Sequence, residues 1–381
     1  MSQIIKVEND SLSYLNVFLK ENSPRRILLV TGKKSYKACG AQLELEPILK
    51  DYHYTRFFDF EENPKIEDVE KGVQLFNDNN CQLIIAVGGG SVMDMAKLIN
   101  IFHKVSIPIA NCLKVGKCGK DIVPMVAIPT TFGSGSESTH FAVVYQNKIK
   151  YSVANKIMLP GLVLLNSSFS RTLSPYLKAI TGLDAFSQAI ESFWNINSNE
   201  ESIRYSKEAI ELIWKYLPLY VKENDKKAAE KICQASNLAG KAINITKTTA
   251  PHAISYPFTS YFGIPHGHAV SLLLPFFLEY NYNVTEKDLN DKRGVNAVKK
   301  NILYICSLIG ASSVIEGKEL LINFIKNIGV ESKVITSCQD NNKNIETILT
   351  NINLERLGNN PREVDKKLLK NFLKEIFKFE V

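Results

Sequence analysis

Short runs of consecutive aliphatic residues alternate with amphipathic stretches along the first part of the chain. Such runs are typical of strands buried on both faces, and apolar residues recurring every three to four positions predict helices. Strands are predicted at 26–31, 54–60, 83–87, 126–129 and 162–165, and helices at 66–77 and 91–102. This alternation predicts an α/β domain with a parallel sheet covered by helices.

The pattern changes after Leu173, where Ser174-Pro175 opens a succession of helical repeats with few strand signals. Helices are predicted at 179–194, 202–221 and 227–245, and the polar stretch 281–293 predicts a loop or helix break. A chain of 381 residues also exceeds what one hydrophobic core usually spans. We therefore predict an α/β domain over residues 1–173 and an all-α domain over residues 174–381.

Composition narrows the classes of function. The net charge of +7 is spread along the chain, which permits small acidic substrates, and the absence of a basic-aromatic module argues against nucleic acid as a partner. Seven cysteines without CxxC spacing fit a reducing compartment. A charged N-terminus and the lack of a long apolar run argue against a signal peptide and a membrane span. A cytoplasmic protein is predicted.

A glycine-rich turn joins one predicted strand to the helix that follows it. Gly88-Gly89-Gly90-Ser91 lies between strand 83–87 and helix 91–102, which is the arrangement that holds a pyrophosphate against free N–H groups. The stretch from Pro129 to Glu137 is rich in hydroxyl groups that could contact sugar or phosphate. The alternatives are a tight turn without a ligand and a plain Ser/Gly loop.

Side chains suited to a metal ion occur in the predicted helical half. Asp184 and Gln188 are four residues apart and share a helix face. His252, His266 and His268 follow within one short span. Oxygen and imidazole ligands from separate helices can converge on one divalent ion. The alternative is that these histidines are ordinary core or surface residues.

Together the motifs resemble the iron-containing (group III) alcohol dehydrogenase family. The resemblance rests on Gly88-Gly89-Gly90-Ser91-x-x-Asp94-x-Ala96-Lys97 and on Pro129-Thr130-Thr131-x-Gly133-Ser134-Gly135-Ser136-Glu137, and it covers nearly the whole chain. It implies a Rossmann-like nucleotide-binding domain followed by an all-helical catalytic domain, the plan shared with dehydroquinate synthase, in a homodimer. The residues that it implies in cofactor binding are Gly88, Gly89, Gly90, Ser91, Asp94, Thr130, Thr131, Ser134 and Lys150.

The resemblance also implies a catalytic metal centre. It assigns one Fe²⁺ or Zn²⁺ to Asp184, Gln188, His252 and His266, although Gln188 stands where most members have histidine. Tyr256 stands where many members have a second histidine, so the proton relay is open between Tyr256, His268, water and the cofactor ribose. The implied reaction is direct hydride transfer between NAD(P)H and a small aldehyde on the metal.

The turn after the first predicted strand bears on the choice of nicotinamide. An acidic residue at this position usually binds the ribose 2′-hydroxyl of NAD, but the sequence here is Thr31-Gly32-Lys33-Lys34-Ser35. Lysines and a hydroxyl favour a 2′-phosphate, which an acid would repel. We therefore predict that Gly32, Lys33, Lys34 and Ser35 select NADP(H) over NAD(H). The alternative is a solvated surface turn.

The segment from Thr246 to Pro257, with the Asp184/Gln188 pair, resembles a subgroup that reduces phosphonoacetaldehyde to 2-hydroxyethylphosphonate. Lys247, Thr248 and Thr249 could bind the phosphonate close to the metal, and the alternative is that Lys247 is a solvated helix-end charge. The rival functions are a butanol dehydrogenase-like reductase of another small aldehyde, a dehydroquinate synthase-like lyase, and a non-catalytic nucleotide-binding protein.

Overall fold

The structure is a computed structural model that describes residues 3–7, 11–115, 119–147, 149–336 and 341–379. The chain divides into two units, Met1–Leu173 and Ser174–Val381. In the described part of the first unit the helices are α1 Ser11–Asn22, α2 Ser35–Ala38, α3 Ala41–Leu49, α4 Ile66–Asp78, α5 Gly90–Phe102 and α6 Ile109–Val115. Its strands are β1 Ile4–Val7, β2 Arg26–Thr31, β3 His53–Phe57, β4 Leu83–Gly88, β5 Met125–Pro129, β6 Phe141–Gln146, β7 Ile149–Ala154 and β8 Leu162–Leu165.

A six-stranded parallel sheet forms the centre of the first unit, in the order β1-β8-β5-β4-β2-β3. Every residue of β4 and of β5 is buried, which explains why these strands are continuous aliphatic runs. The predicted α/β sheet is confirmed, although β3 ends at Phe57 rather than at residue 60. The edge strand β1 and the antiparallel hairpin of β6 and β7 were not predicted.

The parallel register brings the carboxyl ends of the central strands to one edge of the sheet. Val30 pairs with Phe57, Thr31 with Val87, and Gly88 with Pro129. The residues that follow these strands are therefore neighbours, although they are far apart in the sequence. Ligands of open parallel sheets bind at this edge.

The second unit is built mainly from helices. Its described helices are α7 Pro175–Trp194, α8 Glu200–Lys222, α9 Lys226–Thr246, α10 Ala250–Phe262, α11 His266–Tyr282, α12 Val295–Leu308, α13 Val314–Asn327, α14 Asn341–Thr350, α15 Leu354–Leu357 and α16 Lys366–Ile376. The predicted break at 281–293 is confirmed, because α11 ends at Tyr282 and α12 begins at Val295. The expectation of an all-helical unit needs one correction: β9 Val334–Thr336 and β10 Phe377–Phe379 pair in parallel. None of the described helices has the length and apolar character needed to span a bilayer.

Helix α7 is the central helix of this unit and packs against α8, α9 and α11. It begins where the Ser174 hydroxyl accepts a hydrogen bond from the Leu177 amide at 3.2 Å, with Pro175 at the first helical position. Residues on all of its faces are buried, polar ones included. Each buried polar side chain on α7 therefore needs a partner within the fold.

A buried lysine ties α5 to the segment that precedes β6. The Lys97 ammonium donates to the Ser136 and Thr139 hydroxyls at 2.9 and 3.0 Å and to the Phe141 carbonyl at 2.9 Å, and its side chain is 0% exposed. The nearby Asp94 carboxylate accepts from the Ser136 hydroxyl at 2.6 Å. Burial lowers the pKa of Lys97 to about 8, against the opposing effect of Asp94.

We predict that Lys97 makes the stability of the protein depend on pH. Between pH 8 and 10.5 the unfolded chain holds a proton on this lysine that the folded chain does not, so stability rises with pH across that window. Urea denaturation should show that the free energy of unfolding rises by about 3 kcal/mol more across this pH window in the unmodified protein than in Lys97→Met. Exposed Lys50→Met is the control, and an equal pH dependence in both variants would contradict the assignment.

Candidate functional site

Three potential metal ligands converge in the second unit. The Oδ1 atom of Asp184 lies 3.2 Å from Nε2 of His252 and 3.9 Å from Nε2 of His266. One ligand atom from each residue lies within 4.8 Å of the others. Asp184 and His252 are buried, whereas the side chain of His266 is 35% exposed. Asp184 and His252 therefore form the buried bottom of the site, and His266 lies at its accessible edge.

Three helices position these side chains. Asp184 lies in the middle of α7, His252 in the first turn of α10, and His266 at the first position of α11. A Cβ atom at Gly267 would lie 1.9 Å from the carbonyl oxygen of Ile180 and 3.1 Å from Cβ of Asp184. Only glycine at position 267 therefore lets α11 begin so close to α7.

Gln188 lies one helical turn after Asp184, as predicted, and is buried. Its Nε2 donates to Asp184 Oδ1 at 3.3 Å. Because an amide nitrogen does not bind cations, the amide oxygen is the only Gln188 atom that can serve as a ligand. The structure brings Gln188 beside the other three residues, and its ligation of a metal stays a prediction.

Glu191 is a member of this site to which the sequence interpretation gave no role. It is 0% exposed and contacts Nδ1 of His252. It also accepts from the Thr249 amide at 2.7 Å, the Thr249 hydroxyl at 2.9 Å and the His252 amide at 3.4 Å. Glu191 thus caps the N-terminus of α10, where a negative charge is favoured. The spacing of Asp184, Gln188 and Glu191, at i, i+4 and i+7 on one helix, was the signal that could have revealed it.

The two carboxylates create a strong preference for positive charge at His252. Burial lowers the pKa of His252, but the Glu191 charge and the hydrogen bond to Asp184 outweigh it and raise that pKa to about 10. Burial raises the pKa of Asp184, but the His252 hydrogen bond and the His266 charge hold it below its ordinary value. The site is therefore suited to a cation.

The residues present fit a divalent metal ion. A contact between Glu191 and Nδ1 of His252 leaves Nε2, the nitrogen nearest Asp184, as the ligand atom. Such carboxylate–histidine pairs orient imidazole ligands in metal sites. One carboxylate oxygen and two imidazole nitrogens form a three-ligand set that leaves a position for substrate, as catalytic sites require. The set suits Fe²⁺ and Zn²⁺ alike.

The predicted relay residues, Tyr256 and His268, occupy different surroundings. The Tyr256 ring stacks on His266 with centroids 5.6 Å apart. Nε2 of His268 lies 2.8 Å from the Glu331 carbonyl, which can only accept, and Nδ1 lies 3.0 Å from the Tyr176 hydroxyl. Nε2 therefore carries the hydrogen and Nδ1 accepts from Tyr176, and burial lowers the pKa of His268. The Tyr176 hydroxyl is therefore the described group through which Nδ1 of His268 could exchange a proton.

The side chains of Thr248 and Thr249 are buried, and their binding of a phosphonate stays a prediction. The Thr249 hydroxyl donates to Glu191 and accepts from Nε1 of Trp194 at 2.9 Å, so through Glu191 it supports His252. Lys247 remains as the exposed cation of this segment. Its ammonium lies 2.5 Å from Oε1 of Glu355, and both side chains are about half exposed.

The backbone of Lys247 is held in an unusual conformation. Its φ of 62° lies in the left-handed region that favours glycine. Its carbonyl accepts from the Thr246 hydroxyl at 2.7 Å and from Nδ2 of Asn195 at 3.2 Å. These bonds fix the turn that leads from α9 into the first turn of α10, where His252 lies.

In the first unit, the glycine loop and the hydroxyl-rich loop lie in contact. A Cβ atom at Gly89 would lie 2.8 Å from the Thr131 hydroxyl, and one at Gly90 would lie 2.8 Å from the Ser134 hydroxyl. The amide of Thr130 donates to the Gly88 carbonyl at 3.0 Å. Bare backbone and hydroxyl groups therefore meet at the sheet edge, which fits the pyrophosphate and ribose of a dinucleotide.

Other predicted cofactor residues surround this loop in structural roles. The Ser91 hydroxyl accepts from the Asn63 amide at 3.1 Å. Both carboxylate oxygens of Asp94 are used within the fold, by the Ser136 hydroxyl and by the Val143 amide at 2.9 Å. Burial raises the pKa of Asp94, against the opposing charges of Lys97 and Lys150. Asp94 therefore supports the loop from within.

The Gly32–Ser35 turn follows β2 at the same sheet edge. Lys33, Lys34 and Ser35 are exposed, and the Lys33 ammonium lies 3.6 Å from Oδ1 of Asp59. Because both members of that pair are well exposed, the pair holds Lys33 only weakly. The turn stays a predicted site for a 2′-phosphate.

Comparison with protein families matches both units. Residues 2–167 match the family described as iron-containing alcohol dehydrogenase, and residues 178–377 match the C-terminal domain of the Fe-containing alcohol dehydrogenase family.

Individual relatives differ in substrate and cofactor. The chain is 28% identical to NADPH-dependent butanol dehydrogenase of Clostridium saccharobutylicum, over 94% of this chain and 93% of that protein. It is 32% identical to phosphonoacetaldehyde reductase of Streptomyces viridochromogenes, over 60% of each protein. Its fold resembles sulfoacetaldehyde reductase of Bifidobacterium kashiwanohense in complex with NAD⁺, with a TM-score of 0.86, 26% identity, and coverage of 98% of this chain and 96% of that one.

We predict that Glu191→Gln weakens metal binding without unfolding the protein. The amide keeps an acceptor for α10 but loses the charge that orients and polarises His252, so affinity for Zn²⁺ should fall about 10- to 100-fold. Titration against a competing chelator measures this. The control is exposed Glu208→Gln on α8. An unchanged affinity in Glu191→Gln would show that this carboxylate serves only to cap α10.

Proposed function

The chain belongs to the iron-containing alcohol dehydrogenase family, and from that premise we propose that it reduces phosphonoacetaldehyde with NADPH at a divalent metal centre. It is an NAD(P)-dependent oxidoreductase acting on CH–OH groups. The lyase and the non-catalytic protein are thereby set aside. The observation that carries the metal-centre proposal is the convergence of Asp184, His252 and His266 over a buried Glu191.

The overall reaction converts aldehyde, NADPH and a proton into alcohol and NADP⁺. When bound, the metal would act as a Lewis acid on the aldehyde oxygen and the nicotinamide would supply the hydride. Asp184, His252 and His266 hold the metal, with Gln188 as a further ligand through its amide oxygen, and Glu191 orients His252. The candidates for giving the proton to the product oxygen are the Tyr256 hydroxyl, the Tyr176–His268 pair, water and the cofactor ribose.

The choice of substrate rests on charge. Two of the relatives above are named for reducing acetaldehydes that carry an anionic phosphonate or sulfonate group. Lys247 lies five residues before His252, and its exposed pairing with Glu355 is weak enough for a phosphonate dianion to replace the carboxylate. The second candidate is a butanal-like aldehyde, which the relation to butanol dehydrogenase favours.

The choice between NADP(H) and NAD(H) also rests on charge. The Gly32–Ser35 turn carries lysines where an acidic residue would bind the ribose 2′-hydroxyl of NAD. One relative is named for NADPH and one structure contains NAD⁺, so the family alone leaves the choice open. We propose NADP(H), and a cytoplasmic homodimer, as the cysteine usage and the family resemblance favour.

We predict that Asp184→Ala and His252→Ala abolish aldehyde reduction while leaving NADPH binding largely intact. Each removes a metal ligand, and loss of Lewis-acid stabilisation should lower kcat/KM by about 1,000-fold or more. NADPH oxidation reports activity and NADPH fluorescence reports binding. Exposed His53→Ala on β3 is the control. Retained activity in both ligand variants would refute the proposed centre.

We predict that Lys247→Met lowers kcat/KM for phosphonoacetaldehyde about 10- to 100-fold, because a charge-assisted contact to the phosphonate is lost. Reduction of butanal should change little. Lys227→Met, at an exposed position of α9, controls for the change of net charge. A higher kcat/KM for butanal than for phosphonoacetaldehyde in the unmodified enzyme would favour the second candidate substrate.

A further inference from the structure

An arginine from the neighbouring strand lies against the Gly32–Ser35 turn. Strands β2 and β3 are parallel, and Leu29 pairs with Arg56. Arg56 is the penultimate residue of β3, so its side chain starts near the carboxyl edge of the sheet. Its Nε donates to the Thr31 hydroxyl at 2.8 Å, and its Nη2 donates to the carbonyls of Gly32 and Lys33 at 3.1 and 3.5 Å.

Two aromatic rings further restrict this guanidinium. Its Cζ lies 4.9 Å from the ring centroid of Tyr36, which is buried, and 4.6 Å from that of Phe58. Cation–π contacts and three acceptors on one turn hold the group in one orientation. Arg56 is therefore preorganised, in contrast to the exposed side chains of Lys33 and Lys34.

The charge of Arg56 has no anionic partner in the described part of the chain. Its acceptors there are one hydroxyl and two carbonyls, and no described carboxylate lies within 4.0 Å of it. Its Nη1 makes no hydrogen bond to any described residue. Because arginine keeps its proton and a partly buried cation favours a counter-charge, this guanidinium is suited to an external anion.

We propose that Arg56 is the specificity-determining residue that binds the 2′-phosphate of the adenine ribose. This inference rests on the proposed NADP(H) preference and names the residue that produces it. Nη1 keeps two N–H donors that no described residue uses, and these donors and the guanidinium charge suit phosphate oxygens. Lys33, Lys34 and the Ser35 hydroxyl add to the same anion site. With NAD, the guanidinium would keep its charge uncompensated.

Binding of adenosine 2′,5′-bisphosphate and of 5′-AMP, measured by calorimetry, tests the proposal, since the two ligands differ by the 2′-phosphate alone. The unmodified protein should bind the bisphosphate at least about 30-fold more tightly. Arg56→Met should weaken bisphosphate binding about 30-fold and change 5′-AMP binding by less than about threefold. Arg56→Lys, which keeps the charge but loses the bonds to the turn that orient the guanidinium, should fall between them. Arg25→Met, at the amino end of β2 and therefore at the opposite sheet edge, is the control and should match the unmodified protein.

The possible failures are distinguishable. Equal affinity of the unmodified protein for both ligands would overturn the NADP(H) preference itself, together with the role of Arg56. A preference of undiminished size in Arg56→Met would overturn only the role of Arg56 and leave the lysines as the phosphate site. Equal loss of both ligands in Arg56→Met and Arg56→Lys would show that Arg56 shapes the turn and does not discriminate between the cofactors.

Discussion

The second unit depends on one electrostatic constraint: two of its buried carboxylates, Asp184 and Glu191, need positive charge beside them. Asp184 and Glu191 both lie on α7, where burial would make an uncompensated charge costly. The fold places His252 between these two carboxylates. It also places the N-terminus of α10 beside Glu191. The imidazole contacts a carboxylate at each nitrogen, so its orientation is fixed and a cation beside it is favoured. The metal-centre proposal and the role of Glu191 both follow from this one constraint.

In the first unit the charges are reversed: neutral donors and cations lie where an anionic cofactor is proposed to bind. A loop of glycines and hydroxyls offers neutral donors at the sheet edge, and the neighbouring turn carries cations without a buried acid. Arg56 is the member of this group that the fold restrains most. Neutral donors suit the diphosphate that NAD(H) and NADP(H) share. The restrained guanidinium of Arg56 is proposed to bind the 2′-phosphate, which only NADP(H) has.

Sequence patterns predicted the parts of this structure that depend on local periodicity. The buried strands and the helical second half came from aliphatic runs and helical repeats, and the spacing of Asp184 and Gln188 placed both on one helix face. The β6–β7 hairpin was not predicted: β6 contains the apolar run Ala142-Val143-Val144, but its partner β7 is interrupted by polar residues, and both strands are only partly buried. The contact of the Thr249 hydroxyl with Glu191 was not predicted, because a hydroxyl beside a lysine gives no sign of whether it faces solvent or a buried carboxylate. The role proposed for Arg56 was not predicted, because it depends on the pairing of β2 with β3, in which the paired residues are 27 positions apart in the sequence.

Anomalous X-ray scattering from crystals of the protein loaded with Fe²⁺ or Zn²⁺ tests the central claim most directly. The account predicts one strong peak at about 2.0–2.3 Å from a carboxylate oxygen of Asp184 and from Nε2 of both His252 and His266. A peak bound by other residues, or none at this site in crystals that contain the metal in stoichiometric amount, would contradict it.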